Sequence, residues 1–308
     1  MKYRALGNTG LKVSEIGVGG FGLGGGYELD KKFGADAFQV ATRAVKTAFD
    51  KGINLFDTCP FSYNIVQPCE ELIGKALSSV RDQVIFASKI EKWKDLTNPV
   101  RQCVETSLRQ FGTDYLDLVQ IRDPNPRKLE QYQVFEEMEA LQKEGKIRFA
   151  SVTLGDSKIM EEANYSFDKQ FATLQLAYNL VFRDAEEWIF DKAGRTNTGI
   201  IVRGPLCKGF LAERDVVDAN RRWFTGEENA ALAEIRDGLS FLSIPSRNLQ
   251  QAAIQFVLRQ QAVSTTIISF ETADDVVEAV AALDAPKVSA EEWEKAREVI
   301  QDSPTIDY

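Results

Sequence analysis

The sequence predicts an α/β fold, namely a (β/α)8 TIM barrel with an N-terminal hairpin and an extra C-terminal helix. Eight short apolar runs alternate with amphipathic stretches nearly to the end of the chain. Alternating strands and helices favour a parallel sheet, and near-continuous apolar strands favour a sheet that is covered on both faces. A length of 308 residues is ordinary for such a barrel, so we expect a single domain over residues 1–308.

The predicted strands are rich in β-branched and apolar residues, as buried strands are. Ahead of them, the segment LGNTGLKV has two short runs about an Asn-Thr-Gly turn, which predicts a hairpin across the barrel floor. In chain order the eight strands cover residues 15–21, 53–58, 84–90, 115–121, 147–153, 172–178, 199–204 and 265–270.

The stretches between the strands have helical periodicity. Residues 37–52, for example, repeat apolar residues on one face and end at Gly52. Near the C-terminus, Ser289 and Glu292 have the spacing of a capping box, which predicts the extra helix. Residues 207–247 do not fit the repeat, and we interpret them as a long connection, which in a compact domain is usually functional.

The composition excludes several classes of function. A net charge of −9 and a pI of about 4.9 argue against nucleic acid or an anionic membrane as a partner, because both attract basic surfaces. No apolar run approaches a membrane span and no signal-peptide pattern is present, so the expected location is the cytoplasm. Four scattered cysteines without a CxxC pair predict neither disulfides nor a metal site.

The chain has no histidine. This removes the commonest general acid and base, the Ser-His and Cys-His nucleophile systems and the usual metal ligand. Proton chemistry therefore has to use Asp, Glu, Tyr, Lys or Cys.

Candidate site residues follow from the predicted strands, because the active site of such a barrel lies at the C-terminal ends of its strands. Asp57 and Lys89 close neighbouring strands and can pair, which would tune the charge of any group between them. A purely structural ion pair is the alternative at this position. The strand ends together supply Asp57, Lys89, Arg122, Thr153, Gln175, Tyr178, Arg203 and Ser269.

These strand ends and their surroundings resemble the aldo-keto reductase superfamily over nearly the whole chain. The segments that carry the resemblance include GINLFDT, VIFASKI, LQLAYN and GIIVRGPLCKGFL. The stretch FDTCPFSYN is most similar to the sugar and aldose dehydrogenase branch. The resemblance implies hydride transfer between NAD(P)H and a carbonyl. In the family a Tyr donates the proton, a Lys lowers the pKa of that Tyr, an Asp supports the Lys, and a His orients the carbonyl.

Transferred to this chain, the catalytic pattern is altered. Asp57 and Lys89 fall on matching positions, but the position of the family Tyr is Ser62 and the next residue is Tyr63. We expect Tyr63 to be the proton donor, with Ser62 as a hydrogen-bonding neighbour. The position of the family His is Arg122, which cannot act as a general base but can hold an anionic or carbonyl oxygen.

The cofactor pattern is altered as well. The resemblance places Gln175 on the nicotinamide carboxamide, and Glu271 stands where the family has a basic residue for the 2′-phosphate of NADP. A carboxylate repels a phosphate and favours a ribose hydroxyl, so we expect NAD, with NADP the less favoured cofactor. The expected cofactor-binding residues are Thr153, Gln175, Tyr178, Arg203, Ser269 and Glu271.

Three functions stay open at this point. The first is an NAD(H)-dependent oxidoreductase for an acidic or polyhydroxylated small molecule. The second is a lyase, dehydratase or isomerase on the same barrel, with Lys89 as the acid or base and with Arg122 and Arg203 as anion-stabilising groups. The third is a binding or regulatory protein that kept the fold without catalysis. The sequence leaves both a monomer and a homo-oligomer possible.

Overall fold

The computed structural model describes residues 1–61, 65, 67–91, 98–122, 124–212 and 224–301. Eight parallel strands close into a barrel in the order β10-β3-β4-β5-β6-β7-β8-β9, which confirms the predicted (β/α)8 fold. The strands are β1 Tyr3–Ala5, β2 Lys12–Ser14, β3 Ile16–Gly19, β4 Leu55–Asp57, β5 Ile85–Ile90, β6 Leu116–Arg122, β7 Ile147–Thr153, β8 Thr173–Ala177, β9 Gly199–Arg203 and β10 Val263–Ser269.

Helices of the described residues surround the barrel, and each contributes at least one buried apolar residue to the core. They are α1 Gly20–Leu23, α2 Leu29–Phe33, α3 Ala37–Asp50, α4 Cys69–Leu77, α5 Pro99–Phe111, α6 Pro126–Gln131, α7 Val134–Lys143, α8 Ile159–Asp168, α9 Ile189–Thr196, α10 Gly226–Gly238, α11 Leu249–Leu258, α12 Ala273–Ala281 and α13 Ala290–Gln301. None of the described helices is both long and apolar enough to cross a membrane.

The N-terminal hairpin covers the floor of the barrel, as the sequence predicts. Strands β1 and β2 pair antiparallel, and Leu6, Leu11 and Val13 pack into a cluster with inward-facing strand residues. The turn depends on Gly7, whose φ of 55° is in the left-handed region. A Cβ at Gly7 would lie 2.3 Å from the backbone nitrogen of Gly199, so the hairpin sits directly on strand β9.

The interior of the barrel is apolar toward the hairpin-covered floor and polar at the mouth, where the strands end. Because side chains alternate along a strand, residues two positions apart face the same side. The apolar cluster under the mouth contains Leu55, Ala87, Leu118, Ile201 and Ile267. Two residues further along the same strands, the polar layer of the mouth consists of Asp57, Lys89, Gln120, Arg203 and Ser269.

The long connection at 207–247 contains a helix that the sequence analysis missed. Helix α10 begins at a capping box between Thr225 and Glu228. Its apolar face is small, with Ala231, Leu232 and Ile235 as its buried residues, so the helical period is weak in the sequence. The C-terminal helix α13 is present as predicted, and Ser289 accepts a hydrogen bond from the backbone nitrogen of Glu292 at 3.1 Å.

Candidate active site

A buried ion pair occupies the centre of the barrel mouth. Asp57 ends β4 and is fully buried, and Lys89 on the neighbouring strand β5 is 3% exposed. The Lys89 ammonium donates to Asp57 Oδ1 and, at 2.9 Å, to the carbonyl oxygen of Thr58. The pairing predicted from the strand ends is therefore present. Charges this deeply buried persist only when they are paired and hydrogen-bonded.

The second oxygen of Asp57 is held by two amides. Gln120 Nε2 donates to Asp57 Oδ2 at 2.5 Å, and Gln175 Nε2 donates to the same oxygen at 2.9 Å. Gln120 Oε1 in turn accepts from Gln175 Nε2 at 2.8 Å and from Thr153 Oγ1 at 3.1 Å. These four residues and Lys89 form one connected polar network, which fixes the side chains in place.

Within this network, one acceptor has no partner. Gln175 Oε1 is buried and makes no hydrogen bond to any of the described residues. A buried polar atom without a partner is costly in free energy, so such an atom in a cavity wall indicates a ligand donor. Gln175 lines a cavity at the barrel mouth.

Arg122 and Glu91 lie next to the ion pair, toward solvent. The Arg122 side chain is 46% exposed, and its Nη1 lies 3.9 Å from Glu91 Oε2. Glu91 is buried, and its Oε1 accepts from the backbone nitrogen of Phe61 at 2.9 Å. Tyr63, the predicted proton donor, and its neighbour Ser62 lie outside the described residues.

Glu70 is a second buried carboxyl, behind the ion pair. Its Oε1 accepts three hydroxyls, from Thr58 at 2.8 Å, Ser88 at 2.6 Å and Ser107 at 3.1 Å. Burial raises the pKa of Glu70 to about 7, although the three hydroxyls act in the opposite direction. Glu70 contacts Thr58, whose carbonyl holds Lys89, so it supports the pair from behind.

Cys59 belongs to the packing beside this site. It is fully buried, and burial raises the pKa of its thiol well above the ordinary value, which opposes thiolate formation.

A cavity of ≈ 430 Å³ extends from the polar network toward strand β10 and helix α12. Ser269 lines it, as the sequence analysis expected for a cofactor-binding residue. Its wall includes a tight turn in which Cys207 and Lys208 both have a left-handed backbone, a strained arrangement that is common at binding sites. Burial lowers the pKa of Lys208. The lining also includes Gly19, Lys32, Gln175, Arg203, Gly204, Glu271 and Thr272.

Two ion pairs border the cavity. At one end, Lys32 Nζ on helix α2 donates to Glu271 Oε2 at 2.6 Å, and the Glu271 side chain is only 8% exposed. At the other end, Arg203 Nη2 donates to Asp156 Oδ1 at 2.5 Å and to the carbonyl oxygen of Leu154 at 2.9 Å. The cavity therefore has charged groups of both signs at its edges.

Tyr178 does not belong to this site, and its expected place in the cofactor pocket is wrong. Its ring is fully buried between Phe190 and Phe256, with ring centroids 4.8 and 5.2 Å away. Its hydroxyl donates to Glu186, and burial together with that carboxylate raises the pKa of the phenol. Tyr178 follows the last residue of β8, and its side chain packs among the outer aromatic residues. Thr153 also contacts the network and not the cavity.

Three residues of this site, Gln120, Glu91 and Glu70, are not among those predicted from the sequence. Gln120 could have been found from the period of two, because it follows the inward-facing Leu118 and is paired in register with Lys89. Arg122, the residue predicted from this strand, lies two residues further along β6, closer to solvent, and its side chain is half-exposed. Glu91 and Glu70 have no comparable signal, since their burial depends on loops and helices that pack on the barrel.

With this geometry, comparison with known proteins is informative. The chain belongs to the Aldo/keto reductase family, whose model matches residues 15–301. These are oxidoreductases that use nicotinamide cofactors. The chain is 32% identical over 221 residues to aldo-keto reductase YhdN of Bacillus subtilis, covering 68% of this chain and 64% of that relative. It is 28% identical over 302 residues to L-galactose dehydrogenase of Arabidopsis thaliana, covering 92% and 88% of the two chains.

Solved structures agree with this assignment. Aldo-keto reductase AKR11C1 from Bacillus halodurans, in its holo form, superposes with a TM-score of 0.76 at 27% sequence identity, covering 97% of this chain and 96% of that one. Glycerol dehydrogenase AKR11B4 from Gluconobacter oxydans has a TM-score of 0.75 at 23% identity, which shows the shared fold.

Proposed function

We propose that this protein interconverts a carbonyl and an alcohol on a polyhydroxylated or acidic small molecule, with NAD(H) as the preferred cofactor. The observation that carries the proposal is the buried Asp57–Lys89 pair, together with the unpartnered Oε1 of Gln175, a residue that lines the cavity. Within the pair, the Lys89 ammonium, held in place by Asp57, is the positive group available for proton transfer, and the amide supplies an acceptor for a ligand N–H. Both lie at the barrel mouth, where the chemistry of such barrels takes place.

We assign this cavity to the dinucleotide. Gln175 Oε1 would accept the carboxamide N–H of the nicotinamide, as the family resemblance implies. Arg203, Lys208 and Lys32 line the cavity and would offset the negative charge of the pyrophosphate. Desolvation opposes the charged form of Lys208, and a phosphate beside it would favour that form again.

The preference for NAD rests on Glu271. This carboxylate is nearly buried in the cavity wall, where a ribose hydroxyl could donate to it and a 2′-phosphate would be repelled. Lys32 offsets part of this repulsion through its ion pair with Glu271. We therefore expect discrimination against NADPH to be moderate rather than absolute.

For the proton step, Lys89 places its ammonium beside Asp57 at the base of the site. A positive charge lowers the pKa of a neighbouring phenol, and we assign that phenol to Tyr63 because it follows the family position by one residue. A bound nicotinamide would supply or accept the hydride. Asp57 would keep Lys89 in place and would not itself transfer the proton.

Arg122 is our candidate for substrate recognition. Its guanidinium is half-exposed and 3.9 Å from Glu91, so it can turn toward a substrate carboxylate or carbonyl oxygen at small cost. The similarity to L-galactose dehydrogenase adds support for a sugar-like substrate.

A substrate panel tests the proposal. Purified protein would be incubated with aldoses, uronic acids and simple aliphatic aldehydes, with NADH or NADPH, and oxidation of the nicotinamide would be followed by absorbance. We expect turnover of polyhydroxylated or acidic carbonyls with NADH, and a larger loss for acidic substrates in Arg122→Ala. Product formation without any nucleotide would instead favour a lyase, dehydratase or isomerase.

A further inference from the structure

Gln120 is the residue on which the polar network depends. It is fully buried in strand β6, and both of its amide atoms are engaged. Its nitrogen donates to Asp57 Oδ2 at 2.5 Å, and its oxygen accepts from Gln175 Nε2 at 2.8 Å and Thr153 Oγ1 at 3.1 Å. No other side chain among the described residues bonds to Asp57, Gln175 and Thr153 together.

The carboxylate determines which way each amide points. An ionised carboxylate only accepts hydrogen bonds, so Gln120 has to turn its NH2 group toward Asp57 and its oxygen away. That oxygen then requires a donor, and Gln175 provides it with one N–H while its other N–H reaches Asp57. Both N–H groups of Gln175 are thereby used, and its buried oxygen is left without a partner among the described residues. In the wild-type protein, a flip of the Gln175 amide would lose two hydrogen bonds, one to Asp57 and one to Gln120. With an apolar side chain in place of Gln120, the same flip would lose only the hydrogen bond to Asp57.

We propose that Gln120 is a positioning residue that sets the orientation of the Gln175 amide, so that the cavity presents an acceptor to the carboxamide NH2 of the cofactor. This inference rests on the proposed function. It gives Asp57 a second role, because the same carboxylate that pairs with Lys89 also sets the polarity of the nicotinamide contact. The chemistry selected is a primary carboxamide, and a ketone at the same place gains nothing from Gln175 Oε1.

Paired cofactor titrations test this. Dissociation constants for NAD and for 3-acetylpyridine adenine dinucleotide, which has a methyl group in place of the carboxamide NH2, would be measured by fluorescence for wild type and Gln120→Met. We expect Gln120→Met to weaken NAD binding about tenfold, as for one lost hydrogen bond to a buried acceptor, and to change binding of the analogue much less. Gln175→Met should show the same selectivity, and the double variant should lose no more than Gln175→Met alone.

Thr173→Val is the matched control. Thr173 precedes Gln175 by two residues on β8, and its Oγ1 donates to Ser151 Oγ at 2.8 Å, on the strand next to Gln120. Removing that buried hydrogen bond should leave the ratio of the two dissociation constants unchanged.

Equal weakening of both dinucleotides in Gln120→Met, or no weakening of either, would overturn the positioning role while leaving the proposed function intact. Failure of the wild-type protein to bind either dinucleotide would reject the proposed function itself, and this inference with it.

Discussion

Two buried aspartates, at opposite ends of the barrel, have different surroundings. Near the floor, Asp117 on β6 is held by two arginines, with Arg81 Nη2 at 2.9 Å from Oδ2 and Arg148 Nη1 at 2.7 Å from Oδ1. The backbone nitrogen of Phe86 adds a third donor to Oδ2 at 3.0 Å. At the mouth, Asp57 is held by one lysine and two glutamine amides.

The difference separates a structural carboxylate from a functional one. Arginine is always charged and cannot exchange a proton, so the Asp117 cluster can only hold the floor together. Lysine is a compact cation that can influence a neighbouring titratable group. One of the amides that donate to Asp57, that of Gln175, also belongs to a residue of the cavity wall, so Asp57 influences a group beside the cavity. The donors at Asp117 come from neighbouring strands and a turn. Burial alone does not distinguish the two residues, because both are essentially inaccessible.

The largest effect should come from Lys89→Met. We expect the turnover number to fall by about 10²–10⁴, the usual contribution of a positioned proton-transfer group. Arg81→Met removes one of the two cations that hold Asp117 at the floor, and it should lower stability while the turnover number per folded molecule stays unchanged. Turnover measured alongside circular dichroism checks both. Full activity in Lys89→Met would end the catalytic interpretation of the Asp57–Lys89 pair.

Asp117→Asn should lower stability and leave the turnover number per folded molecule unchanged. Breaking a buried ion pair costs about 3–5 kcal/mol, and we expect about 3 kcal/mol here because the Arg148 side chain is 46% exposed and can be solvated. Asp57→Asn is the comparison, and it should lower both stability and the turnover number per folded molecule, because it leaves the buried Lys89 without its carboxylate. Chemical denaturation and turnover measurements on both variants check this. A fall in turnover per folded molecule for Asp117→Asn, or an unchanged turnover for Asp57→Asn, would show that the floor and mouth carboxylates have been assigned the wrong roles.

Glu70→Gln should change how stability depends on pH. The pKa of Glu70 in the folded protein is raised from 4.5 to about 7, so the folded state binds a proton more tightly than the unfolded chain. Stability from this group is fully present below pH 4.5 and is lost as pH rises through about 7, by roughly 3 kcal/mol at most. Glutamine is neutral and can still accept the three hydroxyls, so the variant should lose this dependence.

Denaturation at pH 5.5 and pH 8 measures that effect. The exposed Glu71→Gln, next in the chain and paired with Lys75, is the control and should keep the wild-type dependence. If Glu70→Gln and wild type lose the same stability between the two pH values, Glu70 is ionised throughout that range.

The smallest effect should be on the preference between the two cofactors, NADH and NADPH. Glu271→Gln removes the carboxylate and should improve NADPH binding relative to NADH a few-fold, as for about 1 kcal/mol of partly screened repulsion. Asp274→Asn removes a nearby exposed charge that does not line the cavity, and it should leave the ratio unchanged. Equal ratios for wild type and Glu271→Gln would mean that Lys32 already cancels the carboxylate.

The sequence allows the fold to be predicted well because each strand is a continuous apolar run. Strand β7, for instance, has the predicted bounds of Ile147–Thr153. Helix α10 was missed because its buried face is small and its charges dominate the pattern. At the site, Asp57 and Lys89 follow from the strand ends. The partners of these residues depend on register and rotamer, which is why Gln120 was missed and Tyr178 was misplaced.

The most direct test of the proposed function is a titration of the purified protein with NADH and with NADPH, followed by quenching of its four tryptophans. Saturable binding of both nucleotides, tighter for NADH, is the result that a cavity with Gln175 at one end and Glu271 at the other predicts. Absence of binding by either nucleotide would contradict the account and would direct attention to Lys89, Arg122 and Arg203 as a site for chemistry without hydride transfer.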